Sequence, residues 1–292
     1  MSPKISVILP SLNEEKNIEN SLRSLIEQDF ADFEIILVDG GSTDGTVKKA
    51  VKFCDKVVVT DRAGIAQQMN VGSRFSGAEI LAFTNSDTVV SPQWLKVLYQ
   101  EFEKDKDLVS VTGPNRVPSG DPAWLKVEYK LWNGIRFVSN MLPRPLRMFF
   151  SSCWNIGVRR EIFERIGGFD ESLLVNMDGD LGRRLVQAGK TKFCIDMWAR
   201  TSSRRALRGP LAFNLHFAYM LALLPPLTIV IPKRVWEKVR FRSWCNRMKE
   251  RIEESGEEYT GLAEHYQNMK RKDATKVLRV IQKQRDRLAP RA

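Results

Sequence analysis

Histidine is nearly absent from this chain of 292 residues. The only two, His216 and His265, fall in an apolar run and in the C-terminal tail, so a histidine-based triad or metal cluster is unsupported. Cysteine is almost as scarce. Cys54, Cys153, Cys194 and Cys245 lie far apart with no Cys-x-x-Cys pair, which argues against a disulfide framework and a zinc site and favours reduced, intracellular surroundings. No Gly-x-x-x-x-Gly-Lys-Ser/Thr occurs, and no Gly-x-Gly-x-x-Gly follows a first strand, so a P-loop ATPase and a dinucleotide oxidoreductase are disfavoured. The start, Met1-Ser2-Pro3-Lys4, lacks the basic flank, apolar core and small-residue cleavage site of a secretion signal. The catalytic part is therefore expected in the cytoplasm.

What is present is enough apolar material for a packed core, at 43% hydrophobic residues, and a net charge of +11. That charge is unevenly spread. From Lys233 to the end there are 17 Lys+Arg against 9 Asp+Glu, so +8 of the +11 belongs to a tail and nucleic acid is not the expected partner. Before the tail, residues 217–231 carry no charge at all. As a continuous helix they would reach about 22 Å against roughly 30 Å of hydrocarbon, and Pro225-Pro226 interrupts them. An in-plane or re-entrant membrane segment is expected over 206–232, flanked by Arg204, Arg205, Arg208, Lys233 and Arg234. The alternative is packing on the enzyme or on a second subunit, as in a homodimer.

Strands alternate with helices through the first two hundred residues. Ile5 to Leu9, Glu34 to Val38, Val57 to Val59 and Ile80 to Thr84 read as short apolar strands, and Ile18, Leu22, Leu25 and Ile26 share one helical face. This order predicts a largely parallel sheet covered on both sides. Further along, Val109 to Thr112 reads as a strand and Pro122 to Met141 as a helix with Trp124, Val127 and Leu131 along one side. Asn155 to Val158 is a strand, helices run from Arg160 and Met177, and Lys192 to Met197 is expected to be the last strand. The tail from Arg234 reads as helical and solvated.

Acids and glycines punctuate these elements. Asp39 and Asp87 end two strands, and Asp178 and Asp180 open a late helix, so separate segments bring carboxylates to the carboxyl-end rim where open α/β sheets bind ligands. That suits a metal and a phosphate. Gly40, Gly41 and Gly45 permit tight turns near a nucleotide, though such residues also fill ordinary turns. Likewise Asp178 and Asp180 are what any helix favours in its first turn.

Five stretches, taken in order, carry a resemblance. Ile5 to Glu14, Val38 to Thr46, Arg62-Ala63-Gly64 through Asn70-Val71-Gly72, Asn85-Ser86-Asp87, and Gly167-Gly168-Phe169-Asp170-Glu171 leading to Asp178-Gly179-Asp180 resemble family 2 glycosyltransferases over about Lys4 to Arg200. The resemblance implies an α/β fold of GT-A type: a mixed, mostly parallel sheet sandwiched by helices over residues 1–205, then the apolar segment 206–232 and a basic helical tail, 233–292. It also implies a nucleotide-sugar donor, a divalent cation (Mg²⁺ or Mn²⁺) and transfer with inversion at the anomeric carbon.

Residue by residue, the resemblance assigns Pro10, Ser11, Asn13 and Glu14 to the base and ribose pocket, with Asp39 on base or ribose. Arg62 and Gly64 line the diphosphate, Asn70 shapes the donor pocket, and Gly41, Asn85 and Ser86 complete the donor set. Asp87 holds the metal and Asp178 is the general base. Trp154, Asn155 and Asp180 are expected to flank the acceptor, together with the Trp124 to Trp132 helix, since indole rings can stack on sugar faces, with core packing as the alternative. Two positions depart from the family pattern: Asn85 stands where an acid is usual, and Met177 where Glu is common. The downstream Gln-x-x-Arg-Trp of processive members is not evident, so single transfer is expected. The expected function is an inverting, metal-dependent hexosyltransferase that uses a UDP-sugar in preference to a GDP-sugar. Its acceptor is lipid-linked or a surface-glycan precursor, and it is peripheral or monotopic at the cytoplasmic membrane face. The alternatives are a soluble acceptor, or a non-catalytic nucleotide-sugar-binding or scaffold protein.

Overall fold

The computed structural model describes residues 2–61, 64–143, 147, 152–173, 177–204 and 277–282. The strands in chain order are β1 (Ile5–Ser11), β2 (Phe33–Asp39), β3 (Lys56–Thr60), β4 (Ile80–Phe83), β5 (Thr88–Val90), β6 (Leu108–Thr112), β7 (Asn115–Arg116), β8 (Ile156–Arg159), β9 (Lys190–Phe193), β10 (Ala199–Thr201) and β11 (Val277–Gln282). The helices are α1 (Ile18–Ile26), α2 (Thr46–Ala50), α3 (Ile65–Arg74), α4 (Trp94–Lys104), α5 (Ala123–Met141), α6 (Arg160–Arg165) and α7 (Met177–Ala188).

β1 and β2 are buried along their whole length. Successive side chains on a strand point to opposite faces, so Ile5, Val7 and Leu9 join a core with Leu22, Trp94 and Leu98, while Ile8 joins another with Met69, Phe83, Phe163 and Leu185. Two helical layers therefore cover one sheet, which is why its strands read as continuous apolar runs rather than alternating ones. On the second face Phe83, Phe163 and Phe169 pack as a ring trio with centroids 5.1 to 5.6 Å apart. Gly72 lets α3 settle on the sheet: a Cβ there would stand 2.4 Å from Ile8 Cγ2.

The large sheet runs β11-β3-β2-β1-β4-β8-β6-β9. β3, β2, β1 and β4 are parallel, β8 is antiparallel to both β4 and β6, and β9 is parallel to β6. The carboxyl ends of β1, β2, β4 and β6 thus share one edge. A small sheet, β5-β10-β7, lies beyond that edge and was not foreseen, because strands of two or three residues are too short to show a period.

Two expectations change. The strand expected over Lys192 to Met197 is instead β9, Lys190–Phe193, and the chain turns before β10. Within the tail expected to be helical, Val277–Gln282 is a strand antiparallel to β3, consistent with its β-branched composition. The remainder of that tail and the apolar segment 206–232 lie outside the described residues. The chain divides into two compact units. The first contains all the strands above, and the second, 172–176 with 203–274, includes only Ser172, Leu173, Ser203 and Arg204 among the described residues.

Candidate active site

The parallel register places Ser11 beside Asp39 and Ile8 beside Phe83, so the ends of β1, β2 and β4 open onto the same edge. Asp39 is fully buried there, and its charge is met locally. Oδ1 accepts from the main-chain N–H groups of Gly41 (3.1 Å) and Ser42 (2.8 Å), and Oδ2 accepts from the Ser42 hydroxyl. Gly41 takes φ +93°, the left-handed region that glycine enters without cost. Ser42 Oγ in turn accepts from the Asn13 N–H at 2.8 Å, and Asn13 Oδ1 accepts from the Thr43 N–H at 2.9 Å. Asn13 also has positive φ, 53°, a conformation asparagine tolerates. The loops after β1 and β2 are thus cross-braced.

Neighbouring acids complete the brace. Glu14 is buried, its N–H donates to Thr46 Oγ1 at 2.8 Å, and its carboxylate accepts from Asn17 Nδ2 at 2.9 Å. Burial works against the charge of Asp44, but the Thr46 hydroxyl and N–H hold its carboxyl below the usual range. Pro10 sits one residue before Ser11, opposite Val38. Gly64 caps α3, whose amino end favours an anion. Arg62 lies outside the described residues.

Two residues do their work indirectly. Gln68 was missed by the sequence analysis: its Oε1 accepts from the Ser11 N–H at 2.8 Å, fixing the end of β1 from α3. Asn70 grips the Phe169 backbone at both ends, its Nδ2 donating to the carbonyl (2.8 Å) and its Oδ1 accepting from the N–H (2.9 Å), while Nδ2 also reaches Glu171. It holds the Gly167–Glu171 turn that leads to α7.

The Asn85-Ser86-Asp87 turn carries the metal-binding expectation. Ser86 is buried and its carbonyl accepts from Ser21 Oγ at 2.9 Å. Asp87 is partly exposed; its carbonyl accepts from the Ser202 N–H at 3.1 Å, and Thr201 Oγ1 lies 3.4 Å from its carboxylate. Ser11 Oγ, Thr84 Oγ1, Asn85 Oδ1 and Thr88 Oγ1 are buried polar atoms with no hydrogen-bond partner among the described residues. Such atoms are normally satisfied, and their concentration at this edge marks it as a ligand surface. Asn85 Oδ1 and the Asp87 carboxylate are hard oxygen donors of the kind Mg²⁺ and Mn²⁺ accept, alongside oxygens from a diphosphate. No cluster of three His, Cys, Asp or Glu exists among the described residues, so a cation held here would draw the rest of its shell from ligand and water.

Asp178 opens α7 and accepts from the Gly179 N–H at 3.0 Å. α5 connects it electrostatically to the rest of the edge. Arg136, buried on α5, donates to Thr112 Oγ1 at 2.8 Å at the end of β6. Burial lowers its pKa to about 10, with Asp178 opposing that fall, so the guanidinium stays charged at neutral pH. Two helical turns earlier Tyr129 feels Asp87: burial, then Glu128, Asp121 and Asp87, push its pKa up to about 12. Neither residue was singled out from sequence, although a spacing of seven puts both on one helical face.

The acceptor-side residues divide. Trp154 is half-buried, with its Nε1 lacking a partner among the described residues. Asp180 is taken up by Arg183 (2.8 Å) and Arg184 (2.6 Å), and Arg184 also donates to the Ile166 and Gly168 carbonyls. Asn155 is fully buried: its Oδ1 accepts from Trp94 Nε1 at 2.8 Å, and its Nδ2 donates to the Pro114 and Met197 carbonyls at 3.1 and 3.0 Å. It joins α4 to the small sheet from the interior, and we do not assign it to the acceptor surface. Asn155→Ala strands one indole N–H and two carbonyls, each at about 1–3 kcal/mol, so urea unfolding should show a loss of about 3 kcal/mol or more. Unchanged stability would return Asn155 to the acceptor side.

The Glycosyl transferase family 2 model matches residues 6–167. Among curated relatives, chondroitin synthase of Pasteurella multocida is 24% identical over 197 residues, 65% of this chain but only 20% of its own length. Glycosyltransferase AglE of Haloferax volcanii is 27% identical over 203 residues, 64% of this chain and 62% of its own. The chain thus spans about a fifth of the length of one and under two thirds of the other. Among solved structures, S. aureus TarS 1-349 in complex with UDP-GlcNAc aligns at TM-score 0.55 and 22% identity, covering 68% of this chain and 58% of that one. Mannosyltransferase PcManGT from Pyrobaculum calidifontis, in complex with GDP-Man and Mn2+, aligns at TM-score 0.58 and 17% identity over 92% and 85%. These likenesses confirm a mixed α/β fold of GT-A type. With the family match covering more than half of its residues, the chain belongs to glycosyl transferase family 2.

Proposed function

We propose that this protein is a glycosyltransferase that moves one sugar, with inversion, from a nucleotide-sugar donor to a lipid-linked or surface-glycan acceptor at the cytoplasmic face of a membrane. The observation that carries the reading is the edge itself: Asp39 and Asp87 flank the unpartnered atoms at the ends of β1 and β4, and Asp178 interacts electrostatically with Arg136, which reaches Thr112 at the end of β6. The braced loops after β1 and β2 form a floor for base and ribose, and the amino end of α3 faces the anionic diphosphate. A divalent cation held by Asp87, with Asn85 beside it, would neutralise charge growing on the nucleoside diphosphate as it leaves. Asp178 would take the acceptor hydroxyl proton as that oxygen attacks.

UDP-sugars are favoured over GDP-sugars as donors, and the TarS neighbour with UDP-GlcNAc supports that preference while PcManGT with GDP-Man keeps the alternative open. The uncharged run 217–231 supports the membrane acceptor. A thermal-shift panel of nucleotide sugars with and without Mn²⁺ tests the donor half. Ligand at 100 times Kd adds about 2.7 kcal/mol to native stability. For a domain of this size that is a rise of several degrees. One UDP-sugar should stabilise the protein only when metal is present. No response to any nucleotide sugar would overturn the reading, and binding without transfer to any lipid-linked or soluble acceptor would favour a scaffold.

A further inference from the structure

α5 has two faces with different occupants. Leu125, Arg136 and Ser139 are buried, and at 100° per residue they lie on the side of Tyr129, where the helix meets the catalytic edge. The opposite side carries Trp124, Val127, Leu131, Val138 and Met141, all exposed, Leu131 at 62% and Met141 at 65%. Their 3-4 spacing is completed by Gly134, where an added Cβ would meet nothing within 4 Å, so none of the described residues covers the stripe there. Of nine exposed large hydrophobic residues among the described ones, seven fall between Trp124 and Leu142, so the exposure is one patch and not scatter.

We propose that this outward face of α5 is a membrane-contact surface that rests on anionic lipid. No helix among the described residues is long and apolar enough to cross a bilayer, so the helix lies in the interface plane. Charge favours lipid over a second copy of the chain, because a chain of net charge +11 is attracted to an anionic surface and repelled by its own copy. On α5 itself Lys126 and Lys130 lie on one flank of the stripe and Glu128 on the other, so the two lysines outnumber the single acid. Trp124 near one end suits the headgroup level. The consequence for catalysis rests on the function proposed above: the same helix would hold lipid on its outer face while Arg136 on its inner face bonds Thr112 at the end of β6, on the candidate edge.

The test uses the full chain and vesicles of phosphatidylcholine with or without one quarter phosphatidylglycerol. Flotation should require the anionic lipid, and Val127→Asp with Leu131→Asp should lower the bound fraction at least tenfold. The nucleotide-sugar thermal shift should be unchanged in that variant, which separates failure of this surface from failure of the donor reading. Should the double variant fold poorly, Leu131→Cys in a Cys245→Ser background, labelled with an environment-sensitive fluorophore, reports directly. Blue-shifted emission and quenching by brominated lipid support the contact. Wild-type flotation by the double variant, equal binding to phosphatidylcholine alone, or a label still in water on bound protein would overturn it. So would a vesicle-free dimer that the double variant dissociates.

Discussion

Asp178→Asn is expected to slow sugar transfer by about 10²- to 10⁴-fold while leaving the metal-dependent thermal shift with donor in place. The substitution keeps the shape of the side chain and its hydrogen bond from the Gly179 N–H, and removes only the charge and the proton-accepting oxygen. Two roles compete for this residue, because a carboxylate in the first turn of any helix stabilises the dipole by about 0.3–1 kcal/mol. A helix-capping Asp178 would lose that stability and almost no rate. A base would lose rate in kcat, with the donor KM unmoved, since the missing interaction forms only as the acceptor oxygen attacks. Asp180→Asn is the internal comparison. Asp180 is occupied by Arg183 and Arg184, and Arg184 ties α7 to the Gly167-Gly168 turn, so its loss should show in stability first. Equal rates in wild type and Asp178→Asn would remove Asp178 from the chemistry.

How much of this was legible in the sequence depends on how far each interaction reaches along the chain. β1 and β2 were plain, since their residues are apolar on both faces and each is bounded by turn signals. The candidate site rim was legible for the same reason: Asp39 and Asp87 follow strand patterns directly, and parallel strands put their ends together. Asn155 was not. Its partners Trp94, Pro114 and Met197 are all about forty or more residues away, and only the folded chain shows that its amide is spent on them. Gln68 likewise looks like a solvent residue of α3 until β1 is laid against it. The tail strand Val277–Gln282 was obscured by its strongly basic, helix-like surroundings, and only β3 as an open edge turns it into a strand. α5 shows a further limit. Trp124, Val127 and Leu131 keep helical spacing, which ordinarily marks a face turned to the core, yet here that face is outside and the polar face with Tyr129 and Arg136 is inside. Periodicity reports that a helix has two faces and leaves open which one the protein covers.

Asp87→Ala is expected to abolish metal-dependent transfer, with a fall in kcat/KM of about 10²- to 10³-fold or more, corresponding to several kcal/mol of lost charge stabilisation on the leaving diphosphate. The magnitude follows from the neutral residue two positions earlier. Where Asn85 stands the turn supplies an amide oxygen and no charge, so Asp87 is the single carboxylate of its motif and nothing in the motif can replace it. The fold should tolerate the change, because what anchors the turn is main chain: the Asp87 carbonyl accepts from the Ser202 N–H and the Ser86 carbonyl from Ser21. The contact from Thr201 Oγ1 to the carboxylate is long, at 3.4 Å. Melting temperature without ligand should therefore stay close to wild type, whereas the extra stabilisation by Mn²⁺ with a nucleotide sugar should vanish. The Tyr129 phenol should titrate at lower pH, since one of the charges that raises its pKa is gone. Retained Mn²⁺-dependent activity in Asp87→Ala would move the metal to another part of the edge, and the divalent cation would then have to be sought near Asp178, the remaining carboxylate that α5 holds in electrostatic contact.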